Sequence, residues 1–245
     1  MQVGFIGSGN MAGALARGWG DPILATDGGS GRARALVGEL GGEVLGSNRE
    51  VAERADLLVL GHKPAQLETV ARDAGEAARG IVVSIVAGAA VAELEELYPY
   101  ATVYRVLPNL PVAVRKGVLL FAQTDEPGAE AVKTLLARLG TVVEIPETLM
   151  RVGNSITGVG PAYWALLAEA WTDSAVRHGM PAAQAATLVR ETMAGTAALL
   201  NHTDTLALRR GVTSPGGSTA RGLNALEQGG VRAALANATD AVVGT

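Results

Sequence analysis

Up to about Ile145, short apolar runs recur between stretches with helical spacing. The runs lie at Val3–Ile6, Ile23–Thr26, Glu43–Leu45, Leu57–Leu60, Ile81–Ile85, Thr102–Val106, Val118–Ala122 and Thr141–Ile145. Several are apolar at every position rather than at alternate ones, which is the pattern of strands covered on both faces. Strands that alternate with helical segments predict an α/β Rossmann arrangement, a doubly wound and mostly parallel sheet with helices on its faces. After Pro146 the texture changes. No strand pattern follows, and Ala162–His178 and Ala182–Leu200 are long Ala/Leu-rich stretches with Gly179 and Pro181 between them. A glycine stop followed by a proline in the next helix's first turn predicts a helical hairpin. The expected division is therefore an α/β domain over 1–146 and an all-α domain over 147–245.

The hairpin is apolar around much of its circumference, through Leu166, Leu167 and Ala170 on one helix and Leu188, Met193 and Leu199 on the other. Helices so poor in charge need more cover than a small domain supplies, which predicts a helical dimer interface. Trp164 and Trp171, seven apart, share one helical face and are read as packing residues.

Composition narrows the function classes. Of 245 residues, 48% are hydrophobic and 18% charged, a balance that supports folding throughout. A net charge of −4 with no Lys/Arg cluster argues against a nucleic-acid partner. The absence of Cys excludes disulfides, thiolate metal sites and thiol nucleophiles, and no metal site is expected. Met1–Ile6 runs straight into a glycine turn without a basic and then apolar leader, and no apolar run approaches the roughly 18 residues of a membrane span. The expectation is a cytoplasmic protein with no membrane partner.

Ile6-Gly7-Ser8-Gly9-Asn10-Met11-Ala12 follows the first strand and opens a helix, the context that a dinucleotide fingerprint requires. The first glycine permits the tight turn, the second lets backbone approach a pyrophosphate, and small Ala12 lets helix and strand pack closely. The phosphates would rest on free N–H groups at the helix N-terminus. Asp27 ends the second strand, where an acid can take the adenosine ribose hydroxyls and favour NADH. Gly28-Gly29-Ser30-Gly31-Arg32 then supplies a hydroxyl and a guanidinium able to hold a 2′-phosphate, so the choice between NADPH and NADH stays open. Gly61-His62-Lys63-Pro64 and Val86-Ala87-Gly88 follow the fourth and fifth strands, outside the carboxyl ends where open α/β sheets bind ligands. His178 and His202 fall at helix ends and need no catalytic role.

Val212-Thr213-Ser214-Pro215-Gly216-Gly217-Ser218-Thr219 lies between two expected helices and runs into one beginning near Thr219. It reads either as an anion nest or as a helix connection capped by Ser218 or Thr219.

This loop, together with Gly158-Val159-Gly160-Pro161-Ala162-Tyr163 and the opening Val3–Ala12 segment, resembles the pyrroline-5-carboxylate reductase family. Asn48, Lys63-Pro64, Ala87-Gly88, Arg105 and Pro108-Asn109-Leu110-Pro111 match in order, nearly end to end. The resemblance implies reduction of the cyclic C=N bond of 1-pyrroline-5-carboxylate to L-proline by NADPH or NADH, and helical domains joined in a homodimer or larger homo-oligomer. It implies that Ser214, Gly216, Gly217, Ser218 and Thr219 hold the substrate carboxylate, with Thr219 beside the imine nitrogen as the catalytic hydroxyl. It also implies Asn48 as a cofactor contact. Hydride transfer to an imine needs a positioned donor and acceptor more than a strong acid, which suits a chain without Cys or a His dyad.

The chain departs from the family pattern at Val159, Arg151 and His62, where the family commonly has serine, an acid and valine. Two alternatives follow: a reductase of another cyclic imine, such as a six-membered one, or a non-catalytic nucleotide-binding redox sensor. Hydroxy-acid dehydrogenases of similar build use a lysine in the helical domain, whereas Lys133 is the last lysine here.

Overall fold

The computed structural model describes residues 1–244; Thr245, the final residue of the expected all-α domain, lies outside the described residues. The chain forms two compact units, Met1–Val159 and Gly160–Thr245.

The first unit is built on eight strands: β1 (Val3–Ile6), β2 (Ile23–Thr26), β3 (Gly42–Val44), β4 (Leu57–Leu60), β5 (Ile81–Ser84), β6 (Thr102–Pro108), β7 (Gly117–Ala122) and β8 (Gly140–Ile145). All eight expected strands are present, in the order β3-β2-β1-β4-β5-β6-β7-β8. The helices between them are α1 (Asn10–Trp19), α2 (Arg32–Leu40), α3 (Asn48–Arg54), α4 (Leu67–Ala74), α5 (Val91–Leu97) and α6 (Ala129–Ala137). Strands β1 to β6 are parallel, and β7 pairs antiparallel to β6. The reversal has a simple cause. A parallel return needs a crossover of a dozen or so residues, and the link Asn109–Lys116 holds only a 3-10 turn at Leu110–Val114.

The apolar runs bury as their sequence requires. β1, β2 and β4 are buried at all four positions. Alternate residues feed two cores: Val3, Phe5, Leu57 and Val59 face α1, α2 and α6, while Ile6, Leu58, Leu60 and Val82 face α3, α4 and α5. Each fully buried Leu or Val contributes about 1.5–3 kcal/mol.

Beyond Pro146, α7 (Met150–Thr157) still belongs to the first unit. Met150 is fully buried in a third core with Leu107, Leu120 and Ala122. Asn109 ties the same region together: its Oδ1 accepts from Val118 N (2.8 Å) and its Nδ2 donates to Thr157 O (3.0 Å). The asparagine of the Pro-Asn-Leu-Pro signature is thus fully engaged in joining β7 to α7.

The second unit is helical throughout: α8 (Gly160–Arg177), α9 (Ala182–Leu199), α10 (Thr205–Gly211), α11 (Ser218–Gln228) and α12 (Val231–Val243). The hairpin predicted from sequence is α8 and α9, with Gly179 at φ +93° and Pro181 at the N-cap of α9. Among the described residues no helix is long and apolar enough to cross a membrane.

Candidate functional site

At the centre of the sheet, β1 and β4 lie side by side while the chain leaves them for opposite edges, so a crevice opens beyond their carboxyl ends. Its floor is held by Gly61 N donating to Ile6 O (2.9 Å) and Gly7 N donating to Thr26 O (3.1 Å). Gly7 adopts φ +92°, and a Cβ there would lie 2.7 Å from the backbone nitrogen of His62. Only glycine satisfies both conditions. A Cβ on Gly61 would stand 2.8 Å from that of Ala12, which shows how closely α1 approaches β4.

Gly9 is the N-cap of α1 and provides no side-chain cap, and the first bond of the helix is Gly13 N to Gly9 O (2.9 Å). The N–H groups of Asn10, Met11 and Ala12 are therefore free of helical partners, as the start of every helix requires. With the positive end of the helix dipole behind them, they suit an anion.

The cleft above this turn has a volume of 480 Å³. Ile6, Gly7, Ser8, Gly9, Asp27, Ser30, Arg32, Asn48, Gly61, His62 and Lys63 come together on its wall. Asn10 faces a smaller depression beside it, shared with Ser8, Gly9 and Arg32. Met11, Pro64, Val86, Ala87 and Gly88 do not line the cleft. The sequence reading missed Gly28, Gln66, Thr69 and Val70, which do. For Gln66, Thr69 and Val70 the available signal was their position after Lys63-Pro64, Thr69 and Val70 standing three and four residues beyond Gln66 at a helix start, and for Gly28 it was membership of the loop after β2.

His62 shows a local conflict. Its Nδ1 sits 3.0 Å from Lys63 O, and a carbonyl only accepts, so Nδ1 carries the hydrogen and Nε2 has the lone pair. That Nε2 is shut from solvent and has no partner among the described residues. Burial pushes the imidazole pKa below 6.5, against the opposing pull of the Lys63 carbonyl, and keeps the ring neutral at pH 7.

The segment Val86–Ala90 after β5 is braced from a distance in sequence. Glu147 Oε1 accepts from Val91 N at the start of α5 (2.8 Å) and from Arg105 Nη1 on β6 (2.7 Å). The Arg105 side chain is only 12% exposed, so this ion pair is more than a surface contact. Gly88 turns at φ +87° with open space where a Cβ would be, which leaves the backbone accessible there.

In the helical unit, the loop after α10 leads into α11 at Ser218. Its N-cap is Gly217, not Ser218 or Thr219, and no side chain caps the helix. The alternative reading of the two hydroxyls as capping groups is therefore removed. Gly216 turns at φ +68°, Gly217 N donates to Ser214 O (3.1 Å), and Arg221 Nη1 donates to Gly216 O (2.8 Å). The latter contact, invisible in the sequence, fixes the loop on its own helix. Ser218 and Thr219 are exposed, beside N–H groups without helical partners. Among the described residues no group of His, Asp or Glu could hold a metal ion.

Comparison with known proteins gives two family matches, the carboxy-terminal one beginning before α7, which the structure places in the first unit. Residues 147–244 match the family model described as pyrroline-5-carboxylate reductase dimerisation, and residues 2–88 match that of NADP oxidoreductase, coenzyme F420-dependent. The chain is 36% identical to pyrroline-5-carboxylate reductase 3 of Macaca fascicularis, over 98% of this chain and 93% of that protein. It is also 36% identical to pyrroline-5-carboxylate reductase of Synechocystis, over 98% and 95%. A solved structure of Plasmodium falciparum pyrroline carboxylate reductase with NADP bound is similar at a TM-score of 0.86 and 26% identity, covering 99% of this chain and 95% of that one.

Proposed function

The chain belongs to the pyrroline-5-carboxylate reductase family, and from that premise we propose that it reduces 1-pyrroline-5-carboxylate to L-proline with NADPH or NADH. The observation that carries this reading is the cleft at the β1/β4 switch point, where the Gly7–Gly9 turn offers backbone N–H groups to a pyrophosphate. The dinucleotide, when bound, supplies a hydride to the imine carbon. The residues present fit it: Gly7, Ser8, Gly9 and Asn10 would take the phosphates, Asn48, His62, Lys63, Gln66 and Val70 would hold the adenosine half, and Val86–Gly88 would receive the nicotinamide half.

Two further groups complete the reading. The uncapped start of α11, with Ser214, Gly216, Gly217, Ser218 and Thr219, holds the substrate carboxylate through backbone N–H groups. The Thr219 hydroxyl hydrogen-bonds the substrate nitrogen as electrons arrive there, and the proton that completes the amine of proline comes with the protonated imine or from water relayed through that hydroxyl, so hydride and proton balance without a strong acid. A homodimer through residues 147–245 is part of the proposal, supported by the dimerisation family model and by the exposed apolar faces of α8 and α9.

The test is a set of progress curves of nicotinamide absorbance, with 1-pyrroline-5-carboxylate and its six-membered homologue as substrates. Fast turnover of the five-membered imine is expected. Tight dinucleotide binding with turnover of neither imine would sink the reductase reading in favour of a redox sensor. Faster turnover of the six-membered ring would transfer the activity to that substrate.

A further inference from the structure

In a doubly wound sheet an acid at the end of β2 ordinarily accepts from both ribose hydroxyls and so selects a dinucleotide without a 2′-phosphate. Asp27 occupies that place, and by position alone it marks an NADH enzyme. The structure shows its carboxylate engaged elsewhere. Oδ1 accepts from Gly29 N (2.8 Å) and Ser30 N (3.0 Å), and Oδ2 accepts from Ser30 Oγ (3.0 Å) and Ala33 N (2.7 Å). A carboxylate offers about four acceptor sites, so the turn fills them. Burial raises the Asp27 pKa, but the bonds from Ala33, Ser30 and Gly29 outweigh it and hold the group below its ordinary value, ionised and committed to the turn.

What the turn presents instead is cationic. Gly29 and Gly31 take positive φ, of +86° and +79°, and between and after them Ser30 and Arg32 meet the cleft. Ser30 Oγ donates to Asp27 and accepts from Arg32 N (3.4 Å), which locks the start of α2 to the same carboxylate. Arg32 is exposed, and among the described residues its guanidinium enters no ion pair and no hydrogen bond. The charged groups on the cleft wall are Asp27, Arg32 and Lys63, two cations to one anion that is already satisfied. A ribose diol would have to displace bonds from Asp27; a phosphate finds an unpaired planar cation made for it.

Resting on the cofactor site proposed above, we propose that Asp27 is a positioning residue for a 2′-phosphate pocket, that Arg32 is the phosphate anchor, and that the chain therefore prefers NADPH to NADH. The carboxylate that usually discriminates against the phosphate here builds the loop that receives it.

Dissociation constants of NADPH and NADH, read from nicotinamide fluorescence on the full chain, test this without reference to turnover. Wild type binds NADPH on the order of tenfold or more tightly than NADH, and added salt narrows the gap. Arg32→Gln, an exposed substitution, removes most of the preference by weakening NADPH and leaves NADH nearly unchanged. Asp27→Ala weakens NADPH although it deletes a negative charge near the phosphate, a sign that repulsion cannot produce. Asp27→Asn, which keeps one oxygen acceptor, weakens it less, and a cooperative melt shows that the fold is intact in each variant. NADH binding as tightly as NADPH, an Arg32→Gln variant that keeps the preference, or an Asp27→Ala variant that loses NADH alone would each overturn the proposal. If neither dinucleotide bound wild type, the cofactor site itself would be wrong.

Discussion

In the sheet unit, β1, β2 and β4 are buried along their whole length, whereas in the helical unit α8, α11 and α12 bury no residue at all. Among the described residues of that unit only Ala185 and Val189, both on α9, are buried. Trp164 stands 61% exposed, Trp171 58% and Leu188 55%, and Trp171 and Leu188 share an apolar groove with Met180 and Val189. Both regions are rich in apolar residues, so hydrophobicity alone does not distinguish them. The difference is that a two-faced sheet covered by helices closes a core within one chain, and a helical hairpin of this length cannot. Its uncovered face is what a second copy would bury.

The largest expected effect breaks that contrast from the helical side. Leu188→Arg places a charge in the groove, and we expect it to abolish self-association at micromolar concentration, measured by light scattering. A variant that remained dimeric would place the interface elsewhere. Thr219→Ala comes next: loss of a donor that acts on the transition state lowers kcat on the order of a hundredfold, about 2.7 kcal/mol, with NADPH affinity unchanged. Near-normal steady-state kinetics would remove Thr219 from the chemistry.

Two smaller effects probe the sheet unit's self-sufficiency. Tyr98 is fully buried and its hydroxyl has no partner among the described residues; burial raises its pKa far above the phenol range. Tyr98→Phe should stabilise the fold by about 1 kcal/mol and raise Tm by about 2–4 °C, because it removes an unsatisfied group at almost no cost in volume. A lower Tm would show that the hydroxyl is satisfied after all.

The smallest effect is a pH dependence at His62. Its folded pKa lies below 6.5, so on acidification the unfolded chain takes up a proton first. Stability is full above that value, falls as the pH drops through it, and levels off below the folded pKa. The slope is no steeper than about 1.4 kcal/mol per pH unit, the limit for one proton. His62→Val should flatten this component in denaturant melts between pH 5 and 7, and identical pH profiles for the two proteins would refute the assignment.

Much of this was legible beforehand. The eight strands, the hairpin at Gly179 and Pro181, and the fingerprint turn are local patterns, because backbone propensity and apolar periodicity act over a few residues. The site was less legible. Gly7 and Ser8 could be placed from their own neighbours, but Gln66, Thr69 and Val70 reach the cleft because the 3-10 turn after β4 leads into α4, which packs against α3. Arg151 was noted as a departure from the family, yet nothing in the structure explains it.

The sequence by itself determined the strands, the helices, the phosphate-binding turn and the family, since each is written in short-range residue types or in their order along the chain. Tertiary structure alone decided three matters: β7 runs against β6, Gly217 rather than a hydroxyl residue is the N-cap of α11, and Asp27 is consumed by its own turn. Each depends on where hydrogen-bond donors and acceptors meet in space. A residue's chemistry says what bonds it can make, and only the fold says which partner has already taken them.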